Sequence, residues 1–140
     1  MRKMGLTLDA PLLTSPETVF LEIKQDFFGE TREICMVLGR DREKKILFKE
    51  VIGSGGGSFV QCAMKDFFIP ALREGANEII VIHNHLERHL APSKNDLIST
   101  KALIEASELL GITFVDHLIV HQESFLSMYV LGHIPERGDY

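Results

Sequence analysis

Apolar and polar positions along the chain change period several times, and each change marks an element. Ser15-Pro16-Glu17 opens a short helix, with Ser at the N-cap, Pro at the first helical position and an acid in the first turn. Val19, Phe20 and Ile23 form its apolar stripe, and Phe27-Phe28-Gly29 closes it. Over 31–38 the period becomes two: Ile34, Met36 and Leu38 share one strand face, and Glu33, Cys35 and Val37 the other. The charged run 39–45 predicts a solvated hairpin connection, and 46–52 the returning strand. The Gly/Ser stretch 53–58 reads as a connection; it lacks the Lys-Ser/Thr ending of a phosphate-binding P-loop and does not match G-x-G-x-x-G. A helix is expected over 59–74, with Phe59, Val60, Ala63, Phe67, Ala71 and Leu72 turned inward and Gly75 as its stop. A strand follows at 78–84, then a loop at 86–92. The next helix, 93–110, carries Ile98, Ala102, Ala106 and Leu109 on one face and stops at Gly111. Two last strands are expected near 112–120 and 125–131. After the first helix the order is β-β-α-β-α-β-β, which predicts an α/β fold of the α+β type, a mixed sheet flanked by helices.

Composition narrows the setting. The 140 residues read as one domain, 1–140, with an irregular lead-in at 1–14 and a peripheral tail at 135–140. A net charge of −5 gives no global electrostatic reason to bind nucleic acid or an anionic membrane surface. No apolar run approaches the ~18 residues of a membrane span. Asp9 and Pro11 interrupt any signal-peptide core, so the expected location is cytoplasmic. Cys35 and Cys62, each in an apolar segment, read as buried thiols of a reduced compartment rather than a disulfide.

The candidate chemistry lies at 78–96. The apolar run Ile79 to Ile82 ends in His83-Asn84-His85, and strand alternation sets both histidines on one face with Asn84 pointing away. Asp96 follows in the first turn of the next helix, with Ser93 three residues before it. Ser93-x-x-Asp96 is by itself a helix-capping box, and a capping role is compatible with a ligand role. Two imidazoles and a carboxylate make three protein ligands, the number a catalytic zinc uses when it keeps a fourth position for water. His89, in the loop, reads as a surface group in preference to an accessory ligand. Asp116-His117 reads as a structural pair or a partner of a ligand, and His121 and His133 have no partner pattern. The adjacent His-Asn-His is not the dispersed signature of HNH nucleases.

These residues resemble the JAMM/MPN superfamily, whose signature is a distant glutamate followed by His-x-His-x7-Ser-x2-Asp; His83, His85, Ser93 and Asp96 match that spacing without a gap. Within it the chain is similar to the RadC-like branch over nearly its whole length after residue 14. The supporting stretches are Arg32-Glu33-Ile34, Pro70-Ala71-Leu72, Ile79 to His85, Ala91-Pro92-Ser93 and Asp116 to Val120. The resemblance implies a cytidine-deaminase-like, JAB/MPN architecture with Zn²⁺ held by His83, His85 and Asp96. It implies Glu33 as general base on the fourth-position water and Ser93 as the group that steadies the oxyanion. The implied reaction is hydrolysis of peptide or isopeptide bonds, with a protein or peptide as substrate. Rival readings are a non-enzymatic MPN scaffold that binds a protein partner and a DNA-repair accessory protein. The charge, and the lack of a helix-hairpin-helix region within these residues, argue against the second. Strand edges and apolar helix faces leave room for a homodimer. The chain departs from the branch at Leu86-Glu87-Arg88, where Pro-Ser-Gly is usual, and at Lys65, where arginine is common.

Overall fold

Strand β3 (Glu78–Asn84) is buried on both faces, and the rest of the chain is arranged to cover it. The computed structural model describes residues 11–55, 62–87, 89–136 and 140. In chain order the remaining elements are α1 (Pro16–Phe27), β1 (Glu33–Arg40), β2 (Ile46–Gly55), α2 (Met64–Glu74), α3 (Lys94–Leu110), β4 (Thr113–His121) and β5 (Ser124–Ser127). They form a five-stranded mixed sheet in the order β2-β1-β3-β4-β5. β3 runs antiparallel to β1 and parallel to β4. A parallel pair needs a crossover, and α3 supplies it. This is the mixed α/β architecture expected from the pattern.

Alternation in β1 and β3 divides the core into two layers. Met36, Leu38, Ile80 and Ile82 pack with Val19, Phe20 and Ile23 of α1. Cys35, Val37, Ile79 and Val81 pack with Phe67, Phe68 and Ala71 of α2 and with Leu103 and Ile104 of α3. The two strand faces read from 31–38 are therefore the two faces of the sheet. The odd-numbered face, which carries Glu33, His83 and His85, looks toward α2 and α3.

Several boundaries move. β2 runs to Gly55, because Gly53 pairs with Cys35 and Gly55 with Glu33, so the first part of the expected Gly/Ser connection is strand. Residues 56–58 lie outside the described residues. α2 begins at Met64 rather than 59: Ala63 is extended, and the Asp66 carboxylate accepts its N–H at 2.9 Å. The expected helical residues 59–61 also lie outside the described set, and Leu72 faces solvent. α3 is turned almost to its other side. Its buried residues are Asp96, Thr100, Leu103, Ile104 and Ser107, while Ile98 is 58% and Leu109 89% exposed. β5 stops at Ser127 because Asp116 Oδ1 accepts Tyr129 N–H at 2.9 Å and Ser127 Oγ accepts Val130 N–H at 3.1 Å, curling the chain off the sheet. The tail is less peripheral than expected: the Tyr140 hydroxyl donates to Asp116 Oδ2 at 2.7 Å, and its ring lies against the Arg40 guanidinium. In the lead-in, Leu13 is fully buried and its N–H donates to Lys44 O.

Candidate metal centre

Strand β3 delivers both histidines, and helix α3 delivers the acid. Ser93 caps α3 by accepting Asp96 N–H at 3.0 Å, and the Asp96 carboxylate accepts Ser93 N–H at 2.8 Å. This reciprocal box pins the carboxylate over the helix N-terminus, where the dipole favours negative charge. Asp96 Oδ1 then stands 3.3 Å from His83 Nε2 and Oδ2 stands 3.2 Å from His85 Nε2. One nitrogen from each ring and one carboxylate oxygen lie within 4.8 Å of one another.

The charges are coupled. Burial works to raise the Asp96 carboxyl, but hydrogen bonds from His83 and His85, with help from Ser93 N–H, hold it far below the usual carboxylate range. The hydrogen bond to Asp96 raises His85, against burial, and the negative charge of Glu33 adds to the effect. Glu33 is thus close enough for His85 to feel it, as the β1–β3 register implies: Cys35 pairs with His83, and two residues on Glu33 comes opposite His85. Glu33 Oε1 is buried and has no hydrogen-bond partner among the described residues.

The neighbours hold these groups in place. Asn84, expected to point away from the site, uses its side chain as a splice between strands. Its Oδ1 accepts Ile34 N–H at 2.7 Å and its Nδ2 donates to Arg32 O at 3.0 Å, so it grips the backbone on both sides of Glu33. His85 N–H donates to Val120 O, and His121 Nδ1 lies 2.9 Å from His85 O. His85 Nδ1 sits 3.2 Å from His89 O; a carbonyl only accepts, so Nδ1 carries a proton, and Nε2, 3.2 Å from Asp96 Oδ2, is the nitrogen left to donate to that carboxylate or, once deprotonated, to bind a cation. His83 Nδ1 contacts His117 Nε2 at 2.8 Å, and His117 Nδ1 contacts Thr100 Oγ1 at 2.7 Å.

Sequence reasoning placed His117 in a class, structural pair or partner of a ligand, and the structure selects the second. Asp116 and His117 do not join through their side chains. The Asp116 carboxylate instead serves Ser127, Tyr140 and the backbone of His117 and Tyr129. His89 contributes its carbonyl rather than its ring, which is 66% exposed and pairs with the 83% exposed Glu87. Leu86 and Glu87 are exposed and stand outside the ligand group, while Arg88 lies outside the described residues. Thr100 was missed, since nothing near it in the chain marks it. Cys62 was not connected to Cys35 either: its sulfur fills the space above Gly53, 2.3 Å from where a Cβ would stand. Burial, then contact with Cys62, raises the Cys35 thiol; both cysteines are free.

These donors fit a metal ion. Two imidazole nitrogens and a carboxylate converge without a proton needed between them once a cation is present, and the buried Glu33 Oε1 nearby has no hydrogen-bond partner among the described residues. The donor set suits several divalent ions, zinc among them. Among the described residues no helix is long and apolar enough to cross a membrane.

Comparison with known proteins agrees with this geometry. The model of the RadC-like JAB domain family matches residues 13–133. A UPF0758 protein of Protochlamydia amoebophila is 37% identical over 105 residues, covering 75% of this chain and 46% of that protein. UPF0758 proteins of Geotalea uraniireducens and Aquifex aeolicus are each 36% identical, over 85% and 82% of this chain and 52% and 49% of their own lengths. The chain therefore spans about half the length of the curated relatives it matches.

Proposed function

The chain belongs to the RadC-like JAB domain family, and from that premise we propose that it is a zinc-dependent hydrolase of peptide or isopeptide bonds. The observation that carries this reading is the convergence of His83, His85 and Asp96 beside a buried Glu33 oxygen that has no hydrogen-bond partner among the described residues. His83, His85 and Asp96 would hold zinc, which when bound would supply Lewis acidity and lower the pKa of an attacking water to about 7. Glu33 takes the proton of the attacking water on its unpartnered oxygen and passes it to the leaving amine. The Asn84 splice fixes the backbone on both sides of Glu33, which supports that role. Ser93 steadies the tetrahedral oxyanion. Its Oγ accepts from Asp96 N–H and retains its own proton to donate. The substrate is a protein or peptide. The net charge of −5 gives no global electrostatic reason to bind a phosphate backbone, which favours a protein or peptide over nucleic acid.

The test is the zinc-loaded chain on a panel of fluorogenic peptides and lysine-isopeptide conjugates, with Glu33→Gln alongside. The parent cleaves members of the panel; Glu33→Gln keeps its metal and loses activity by about 10²–10⁴-fold, the usual worth of a positioned general base. Hydrolysis retained by Glu33→Gln removes Glu33 as the base. A parent that loads zinc yet cleaves nothing in the panel favours a binding module instead.

A further inference from the structure

We infer that His117 and Thr100 are positioning residues that set the tautomer of His83, keeping its proton on Nδ1 so that Nε2 presents a lone pair to the metal; this rests on the metal-site reading above. The two ligand histidines are held differently. His85 Nδ1 meets a backbone carbonyl, which dictates its tautomer outright. His83 Nδ1 meets another imidazole, His117 Nε2, at 2.8 Å. Two imidazoles in contact admit two opposite proton arrangements, and only one leaves a lone pair on His83 Nε2. In that arrangement His83 Nδ1–H donates to His117 Nε2. His117 is fully buried, where an uncompensated charge is costly and a neutral ring is favoured. A neutral ring that accepts at Nε2 carries its own proton on Nδ1. That proton points at Thr100 Oγ1, 2.7 Å away, whose hydroxyl accepts it and turns its own proton toward Met128 Sδ at 3.6 Å. Every member of the run then has one consistent direction, from His83 inward to Met128.

The opposite arrangement is also available, and it shows why a positioning device is needed. With the proton on His83 Nε2, that nitrogen donates to Asp96 Oδ1, 3.3 Å away, and both ligands are consumed by each other. An acceptor at Nδ1 counters that pull. Helix α3 supplies both ends of the device: Asp96 in its first turn and, four residues on and on the same face, Thr100. Tilting or sliding α3 would move the ligand and the end of the histidine run together, so metal geometry and tautomer are set by one element.

The test compares zinc affinity, by competition with a chromophoric chelator, for the parent, His117→Leu and His117→Gln, with thermal midpoints of the metal-free proteins. Leucine offers no acceptor. The glutamine amide oxygen reaches the place of Nε2, and its N–H₂ can still donate to Thr100. We expect His117→Leu to weaken zinc binding by roughly 10–100-fold, the usual cost of losing such a partner, and His117→Gln to recover most of that loss. Equal affinity in all three overturns the inference, as does equal weakening in both variants with matching falls in thermal midpoint, which is packing alone. Should His117→Leu fail to fold, imidazole ¹⁵N spectra of the zinc-loaded parent decide. Protons on Nδ1 of both His83 and His117 support the inference, and a proton on His117 Nε2 overturns it. A parent that binds no zinc overturns the metal reading and this inference together; a parent that binds it while the leucine variant binds equally well overturns this inference only.

Discussion

In the metal-free chain His85 and Asp96 hold each other, and their coupling sets a pH dependence. Asp96 is depressed, so its contribution is present above the ordinary carboxylate value of 3.8 and is lost as pH falls toward its lowered value. His85 is raised by Asp96, so its contribution is full below 6.5 and is lost as pH rises through its elevated value. Metal binding removes the His85 proton, so zinc affinity has the opposite slope. Below the raised His85 value, affinity should climb by up to about tenfold per pH unit for the one proton released, while the metal-free thermal midpoint falls only above 6.5. Chelator competition at pH 6.0, 6.5 and 7.0 checks this, and affinity that is flat across that range contradicts it. At this scale the ligands were legible because their spacing along the chain is short and distinctive. Their supports were not: His117 lies 34 residues from His83, Thr100 carries no local mark, and the partner of His85 is a carbonyl, which every residue has.

At the scale of elements, the strands and both helix starts at serine follow from pattern and capping chemistry, and the phase of α3 does not. Periodicity picks Ile98, Ala102, Ala106 and Leu109, but three of the five residues that α3 buries are polar: Asp96, Thr100 and Ser107. Histidines meet Asp96 and Thr100, so an inward carboxylate and hydroxyl are satisfied there, and a rule that equates inward with apolar chooses the wrong side. Glycine sets the β1–β2 pairing in a way that is equally hidden. Gly39 pairs with Phe48, and a Cβ on Gly39 would stand 2.1 Å from the Phe48 ring, which is itself buried. Gly39→Ala should therefore cost about 1–3 kcal/mol, since the ring must leave its place in a packed core. Denaturant unfolding measures it; stability unchanged would show that the ring moves aside at no cost. Metal affinity should stay near the parent's, because Gly39 lies at the far end of β1 from Glu33.

Across the whole molecule, element order predicted a mixed sheet with helices against it, but not that β1 would lie between β2 and β3 or that β3 would sit at the centre. Strand order depends on which long-range pairings bury most, and the chain states that only through contacts far apart in sequence. The consequence for function is positional. The central strand, walled by β1 and β4, ends at the two histidines; β1 brings Glu33 beside them, and the α3 crossover returns Asp96 over the same strand end. Three separate segments thus meet at one end of the central strand, and a cation there is the group that would satisfy all of them. Anomalous diffraction collected above and below the zinc absorption edge, from crystals of the chain grown with equimolar zinc, tests this most directly. The account predicts a single strong peak bonded to His83 Nε2, His85 Nε2 and Asp96, with Glu33 beside the remaining position. No peak at that place, or zinc bound elsewhere while those three residues stay paired with one another, would contradict it.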